Sequence, residues 1–183
     1  MRSRLKAQEP EPTGKLRIDM RLLDLYSACL KNADELLKEA GLLFEAHHHA
    51  RAYFLAFTAM EELGKSQAVA DYFYELISKS EFEAAFRDHR FKAAYVERYV
   101  QIPTDLKSTW FIEYDTKSVT EHTKARNRSL YVGHSTDHSP QYPSEMISAE
   151  AASELITNAR SYLSRIVRME HITERIGTKA FTK

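Results

Sequence analysis

Residues 47–67 read HHHARAYFLAFTAMEELGKSQ, and this stretch decides the fold class. Its apolar side chains recur at helical spacing, but Glu61, Glu62 and Lys65 interrupt the run. Lys65 lies one turn from both acids, so a carboxylate–ammonium contact is easy on a helix. Glu62 shares a face with Leu55 and Val69, which predicts that it points toward packed side chains. The stretch therefore indicates either a solvated ion pair beside a core helix or a polar cluster inside a helical bundle.

Composition favours one mostly helical domain in a reducing compartment. The chain has 183 residues, with five glycines and five prolines, and its 26 basic residues balance its 26 acidic ones. The net charge is therefore zero, which gives no indication that the protein binds a nucleic acid or a membrane. The single Cys29 cannot form an internal disulfide, which suits the cytoplasm. No apolar run approaches the roughly 20 residues that span a bilayer, so no membrane association is expected.

Local signals divide the chain into about five helices with a long loop before the last one. Residues 1–17 and 177–183 are expected to be tails, and residues 18–176 to form the helical domain. The first predicted helix is Asp19–Ala40, capped by Asp19 and stopped at Gly41, and the second is Phe44–Ser78. The third begins at a Ser80–Glu83 capping box and runs to Val100. The fourth is Thr116–Val132, ended by Gly133, and the last is capped by Ser148 and runs to Arg175. Residues 101–115 are predicted to break the bundle, with Trp110, Phe111 and Tyr114 as anchors.

Two groups of histidines fall inside the predicted helices. His47, His48 and His49 are consecutive, and such positions point about 100° apart on a helix, so they cannot all ligate one ion from it. Surface histidines are the simpler interpretation, and no metal site is predicted. His89 lies on an apolar face one turn before Lys92, where it is either a hydrogen-bonded core residue or a neighbour of the Glu62–Lys65 pair.

The most concentrated basic segment is KARNRSLYVGH, residues 124–134. An arginine fork binds phosphate well, and a histidine can exchange a proton with a ribose hydroxyl or a leaving oxygen. The segment therefore fits RNA cleavage without a metal, with arginine stabilising the charge that develops on the phosphate. The structural alternative is a basic helix end that complements the helix dipole. Gly-rich phosphate loops, HExxH, paired-cysteine spacings and nucleophile elbows are absent, so no cofactor is predicted.

Several segments follow one another in a characteristic order over about residues 20–170: AYFLAFTAMEELGKSQ, then FRDHRFK, then KARNRSLYVGH, a proline loop and an alanine-rich last helix. In this order they resemble the AbiV family of abortive-infection proteins in the HEPN superfamily. The strongest pieces are Glu61-Glu62-x-x-Lys65 and Arg126-Asn127 ahead of Ser129–Val132. The resemblance implies an all-α, up-and-down HEPN-like bundle, a cytoplasmic protein and a role in phage defence.

Many HEPN relatives are RNases with an Arg, a polar residue, four to six further residues and a His, and their dimers bring two such motifs together. The resemblance implies Arg126, Asn127, Tyr131 and His134 as catalytic residues, with Lys124 and Arg128 binding RNA. Seven residues separate Arg126 from His134, whereas Arg128 has the expected spacing with Ser129 in the polar place. Gly133 stands where many relatives have an acid. The arginine that pairs with His134 thus stays open, and the remaining polar residues are expected to support the site: Glu61, Glu62, Lys65, His89 and Lys92.

Two hypotheses of function follow. The first is a HEPN-type toxin, expected to be a homodimer, that cleaves RNA as a metal-independent endoribonuclease. The second is a non-enzymatic dimeric helical protein that binds a phage or host protein, or RNA, and blocks phage propagation by sequestration. A phage or host protein is a candidate trigger under either hypothesis.

Overall fold

A computed structural model describes residues 20–73, 76–88, 92 and 116–172. Several predictions fall outside these residues: both tails, the Asp19 cap, and the break at residues 101–115 with its aromatic anchors. They stay predictions.

The described part of the chain is predominantly helical, as predicted. Its elements, in chain order, are α1 (Met20–Glu45), α2 (His49–Phe73), α3 (Lys79–Arg87), α4 (Thr116–Leu130), β1 (Gly133–His134), β2 (Pro140–Gln141), α5 (Pro143–Met146) and α6 (Ala149–Ile172). The strands form a small antiparallel ladder in which Gly133 lies opposite Gln141. The all-α, HEPN-like bundle is therefore confirmed, with a two-stranded ladder that the sequence did not predict.

Helix α2 is the centre of the bundle. It contacts α1, α3, α4, α5 and α6, and its buried residues lie on every side of the helix. A helix that is packed on every side has no face turned to solvent on which charged side chains could lie. The polar residues in the second half of α2 must therefore meet partners from neighbouring helices.

Small side chains bring α1, α2 and α6 close together. The main core cluster contains Leu37, Leu63 and Ile156, and its other buried members are all alanines: Ala33, Ala40, Ala52, Ala56, Ala59 and Ala159. Because alanine projects only one methyl group, helix axes can approach closely along such a seam. Partly buried leucines and aromatic residues then close the edges of the cluster.

The turn between α1 and α2 corrects the predicted start of the second helix. His48 N–H donates to the Leu43 carbonyl at 2.8 Å, and His47 N–H donates to the Phe44 carbonyl at 3.0 Å. His47 has a φ of 61°, so it occupies the left-handed position that ends a helix in a Schellman motif. The chain therefore turns between Glu45 and His49, and His47 and His48 lie in this turn instead of on a regular helix.

Gly41 does not stop α1, contrary to the prediction. The helix continues through it to Glu45. A Cβ atom at Gly41 would lie 2.8 Å from Nη2 of Arg160 on α6, and the same guanidinium approaches the Leu37 carbonyl at 3.5 Å. The glycine thus makes room for a side chain that crosses α1, which explains why it stands inside a helix.

Helix α3 begins two residues earlier than predicted. Ser78, not Ser80, is the N-cap: Glu81 N–H donates to Ser78 Oγ at 3.3 Å, and Ser78 N–H donates to Glu81 Oε2 at 2.7 Å. Both serines are followed by an acid three residues on, so the sequence contained two overlapping capping boxes. Glu83, the acid of the predicted box, pairs instead with Arg87 at 3.0 Å. The helix ends at Arg87, so the predicted continuation to Val100 is interrupted at Asp88.

The last helix begins as predicted. Ala151 N–H donates to Ser148 Oγ at 3.2 Å, which is an N-cap contact. Helix α4 ends at Leu130, two residues before the predicted end, and Gly133 belongs to β1. None of the described helices is long and apolar enough to cross a lipid bilayer.

Candidate functional site

Arg126 on α4 faces the central helix. Its Nε lies 3.7 Å from Oε1 of Glu61, and both side chains are largely buried, at 17% and 5% exposed. The guanidinium carbon also lies 5.2 Å from the centre of the Phe54 ring. Phe54 and Glu61 are seven residues apart on α2, so one face of the helix presents both to the arginine. The guanidinium is thus fixed by a carboxylate and an aromatic ring.

The Nε donor of Arg126 is buried without a hydrogen-bond partner. Its ion pair with Glu61 is too long to be a hydrogen bond. Nη1 of the same guanidinium donates to Oδ1 of Asn127 at 3.3 Å. Arg126 therefore combines a fixed position with donor capacity that its neighbours do not use fully.

Glu62 and Lys65 form a second pair one face further round α2. Lys65 Nζ lies 2.5 Å from Glu62 Oε1, and the side chains are 17% and 12% exposed. The lysine also lies 5.7 Å from the centre of the Phe86 ring on α3. Burial raises the pKa of the Cys29 thiol to about 11, and a hydrogen bond to Glu62 acts in the same direction. Glu62 is therefore held between α1 and its own helix, as its spacing with Leu55 and Val69 predicted.

Lys92 joins the two pairs electrostatically. It is 6% exposed, and its backbone N–H donates to the Asp88 carbonyl at 3.1 Å. Burial lowers the pKa of its ammonium; Glu61 opposes this shift, whereas Lys65 and Arg126 add to it.

The structure thus gathers five polar residues around the second half of α2, and we call them the inner polar cluster: Glu61, Glu62, Lys65, Lys92 and Arg126. Three cations face two carboxylates, so the fully ionised cluster carries a net positive charge. His89, which was predicted to join them, lies outside the described residues.

Raising the pH should increase the contribution of Lys92 to stability. Because its pKa is lower in the folded protein than the ordinary 10.5, the unfolded chain binds more protons between the folded value and 10.5. The free energy of unfolding contributed by Lys92 therefore rises with pH through this window. Urea denaturation of the wild type and Lys92→Met between about pH 8 and about pH 10 measures it. We expect the wild type to gain stability relative to the variant, and a constant difference would contradict the assignment.

His134 lies on the exposed hairpin that follows α4. Its Nδ1 lies 3.1 Å from the Ser135 carbonyl, and its ring lies 5.7 Å from that of His138. A carbonyl can only accept, so Nδ1 carries the proton in this hydrogen bond. Within the described part of the chain, no hydrogen bond or ring contact joins His134 to Arg126.

The turn of this hairpin is ordered by one carboxylate. The Ser135 hydroxyl donates to Asp137 Oδ1, and Ser139 N–H donates to the same atom at 3.2 Å. These bonds, led by that from Ser135, lower the pKa of Asp137. His138 has a φ of 64°, which closes the turn. Because the turn is held in this way, the ladder presents His134 in a defined position.

The remaining predicted site residues lie on the outer side of α4 and just beyond it. Lys124, Asn127 and Arg128 are exposed, and Lys124 makes a 3.4 Å contact with Glu121. Tyr131 is 62% exposed. These residues are close in sequence to Arg126 but face solvent, whereas Arg126 faces the core.

The three consecutive histidines lie in two different elements. His47 and His48 lie in the α1–α2 turn, whereas His49 opens α2 and its ring packs 5.0 Å from that of Phe44. Among the described residues, no three His, Cys, Asp or Glu side chains are grouped in a way that could hold a metal ion.

Comparison with protein families decides the relationship. The family model for AbiV, of the HEPN type, matches residues 21–164. The chain belongs to the AbiV family. No curated protein and no solved structure matches it. The resemblance inferred from the sequence is thereby confirmed, and the protein is an abortive-infection protein of the HEPN type.

The AbiV match includes the inner polar cluster, the hairpin and most of α6. One contact within it was missed from the sequence: Arg51 Nη1 donates to the Leu130 carbonyl at 2.9 Å, which ties the start of α2 to the end of α4. The pairing of Glu61 with Arg126 was missed as well. Phe54 and Glu61 are seven residues apart, and this spacing could have indicated that both side chains contact the same residue of a neighbouring helix.

Proposed function

We propose that this AbiV protein is a toxin that cleaves RNA without a metal ion, as a homodimer. One observation carries the proposal: the Arg126 guanidinium is fixed between Glu61 and Phe54 while 17% of the side chain stays accessible. A rigid cation with spare donors suits the charge that develops on a phosphate during cleavage. Asn127 orients the guanidinium through its amide oxygen.

His134 supplies the proton transfer in this proposal. Its Nε2 takes the proton of the ribose 2′-hydroxyl, and the 2′-oxygen attacks the adjacent phosphorus. The bond from phosphorus to the 5′-oxygen breaks, and that oxygen takes a proton from protonated His134 of the partner subunit. The products are a 2′,3′-cyclic phosphate and a 5′-hydroxyl. Dimerisation belongs to the proposal because one His134 accepts a proton while a second His134 donates one.

A comparison of the variants Arg126→Lys and Arg128→Lys tests which of the two arginines takes part in cleavage. Both changes keep the positive charge but remove the planar fork. We expect Arg126→Lys to slow cleavage about 10²–10³-fold, the size of losing one donor to a developing oxyanion. Arg128→Lys should cleave like the wild type, because Arg128 is exposed on the outer side of α4. The measurement is incubation of purified protein with total RNA in EDTA, followed by detection of cyclic-phosphate ends.

If both variants lose cleavage activity equally, the two arginines contribute to general RNA binding. If only Arg128→Lys loses activity, Arg128 and not Arg126 is the arginine that acts in cleavage. If the wild type leaves every RNA intact in EDTA, the enzymatic proposal is wrong.

The non-enzymatic hypothesis rests on a different observation. Tyr131, Val132 and Tyr142 are 62%, 59% and 49% exposed, and they flank the hairpin ladder, so they leave an apolar surface there. Such a surface is typical of a protein-binding site. Under this hypothesis a phage or host protein covers it. Val132→Ser should then weaken phage protection without affecting any RNA cleavage.

A further inference from the structure

A cavity of about 220 Å³ lies beside the turn between α1 and α2. It is several times larger than the roughly 30 Å³ that one water molecule occupies in the liquid. The turn and the start of α2 form one wall, and the start of α5 forms the other. The polar residues that line it are His47, His48, His49, Arg51, Tyr142 and Ser144.

The lining favours an anion. Imidazole, guanidinium and hydroxyl groups all offer N–H or O–H donors, and no carboxylate lines the cavity. The first turn of α2 contains no acidic residue, so its positive end is not neutralised there. Two acids lie near the other wall. Glu145 accepts from Tyr142 N–H at 3.2 Å. Hydrogen bonds from its own backbone N–H and from Ser148, together with the nearby charge of His49, hold the pKa of Glu150 down.

The cavity adjoins the proposed cleavage motif. Arg51, in its wall, donates to the Leu130 carbonyl at the end of α4, one turn beyond Arg126. Tyr142, in the opposite wall, directly follows β2, which pairs with the strand that carries His134. The strand that carries His134 therefore pairs with the segment that leads directly into this wall of the cavity.

We propose that this cavity binds a phosphate group of single-stranded RNA, next to the phosphate at which the strand is cut. The inference rests on the proposed function for the identity of the strand, whereas the phosphate chemistry rests on the lining alone. Arg51 supplies a planar fork, and His47 and His48, which are both exposed, supply further donors. The cavity thus acts as a second phosphate subsite that sets how the strand lies across the hairpin.

A double variant, His47→Gly with His48→Gln, tests the subsite without disturbing the turn. Glycine suits the positive φ of His47, and His48 is exposed. The probe is a short fluorescein-labelled single-stranded deoxyoligonucleotide, which lacks the 2′-hydroxyl and cannot be cut by the proposed reaction. We expect fluorescence anisotropy to show binding about tenfold weaker for the double variant. Lys31→Gln is the control, since Lys31 is exposed and lies about 21 Å from the end of α1 at Glu45.

Each outcome decides one question. Weaker binding in the double variant, with Lys31→Gln unchanged, supports the subsite. Equal binding by wild type and double variant, or no binding by the wild type, overturns it. Inorganic phosphate that displaces the probe as well as a competing oligonucleotide does would indicate a site for free phosphate instead of a strand. If the double variant binds weakly but the wild type never cuts RNA, the subsite stands and the proposed catalysis fails. If the wild type cuts RNA but the double variant binds the probe as tightly as the wild type does, the proposed catalysis stands and the subsite fails.

Discussion

Replacing His134 by alanine is expected to abolish RNA cleavage and toxicity while the fold stays intact. The ring is exposed, and its contacts are confined to the Ser135 carbonyl and the His138 ring on the same hairpin. Its removal therefore opens no cavity in the core, and we expect a stability change within about 0.5 kcal/mol. Loss of a general base or acid typically costs about 10²–10⁴ in rate. Cyclic-phosphate formation and growth arrest on expression measure the loss, and thermal unfolding checks the fold.

His138→Asn is the matched control for this prediction. It removes an imidazole whose centre lies 5.7 Å from that of His134, and asparagine tolerates the left-handed conformation that His138 adopts. The control should keep its activity. A folded His134→Ala protein with full activity would contradict the assigned role. Equal inactivation by both changes would point to the hairpin as a binding surface instead of to one proton-transfer group.

The five longer helices that the structure describes were predictable because each carries its own periodic signal, whereas α5, which has four residues, was not. The ends of the longer helices depended on contacts that the sequence does not display. The sequence predicts a helix end at Gly41, yet this glycine makes space for Arg160 of α6, which is more than a hundred residues away in the chain. The sequence around Ser78 offers two capping boxes, and nothing local decides between them. The strands β1 and β2 have two residues each, too few to show any alternation.

The candidate site was predictable in composition but not in pairing. Residue types and spacing singled out Glu61, Glu62, Lys65 and Arg126, and the contact of Lys65 with Glu62 follows from helical geometry alone. The partner of Glu61, however, comes from α4, and a long-range pair leaves no periodic trace. The sequence also placed Arg126 and His134 in one motif, although the former faces the core and the latter faces solvent.

Glu61→Gln is expected to cause the largest loss of stability among these changes. Glu61 is 4% exposed and lies opposite the Arg126 Nε at 3.7 Å, and its charge also favours protonated Lys92. Removing one partner of a buried pair leaves the remaining charges uncompensated, which costs about 3–5 kcal/mol. We expect about 3 kcal/mol, because the contact is longer than a hydrogen bond. Glutamine keeps the shape of the side chain, so the loss reports charge and not a cavity.

Urea denaturation of Glu61→Gln, of Arg126→Met and of the double variant separates a specific pair from general burial. If the charges are coupled, the double variant loses less free energy of unfolding than the sum of the single losses, by about 1 kcal/mol or more. Glu35→Gln is the surface control: its carboxylate is 56% exposed and lies 3.9 Å from Lys31, so it should cost less than about 0.5 kcal/mol. Strict additivity, or a Glu61 effect no larger than that of Glu35, would mean that Glu61 does not hold Arg126, and the fixed guanidinium on which the proposed cleavage depends would lose its support.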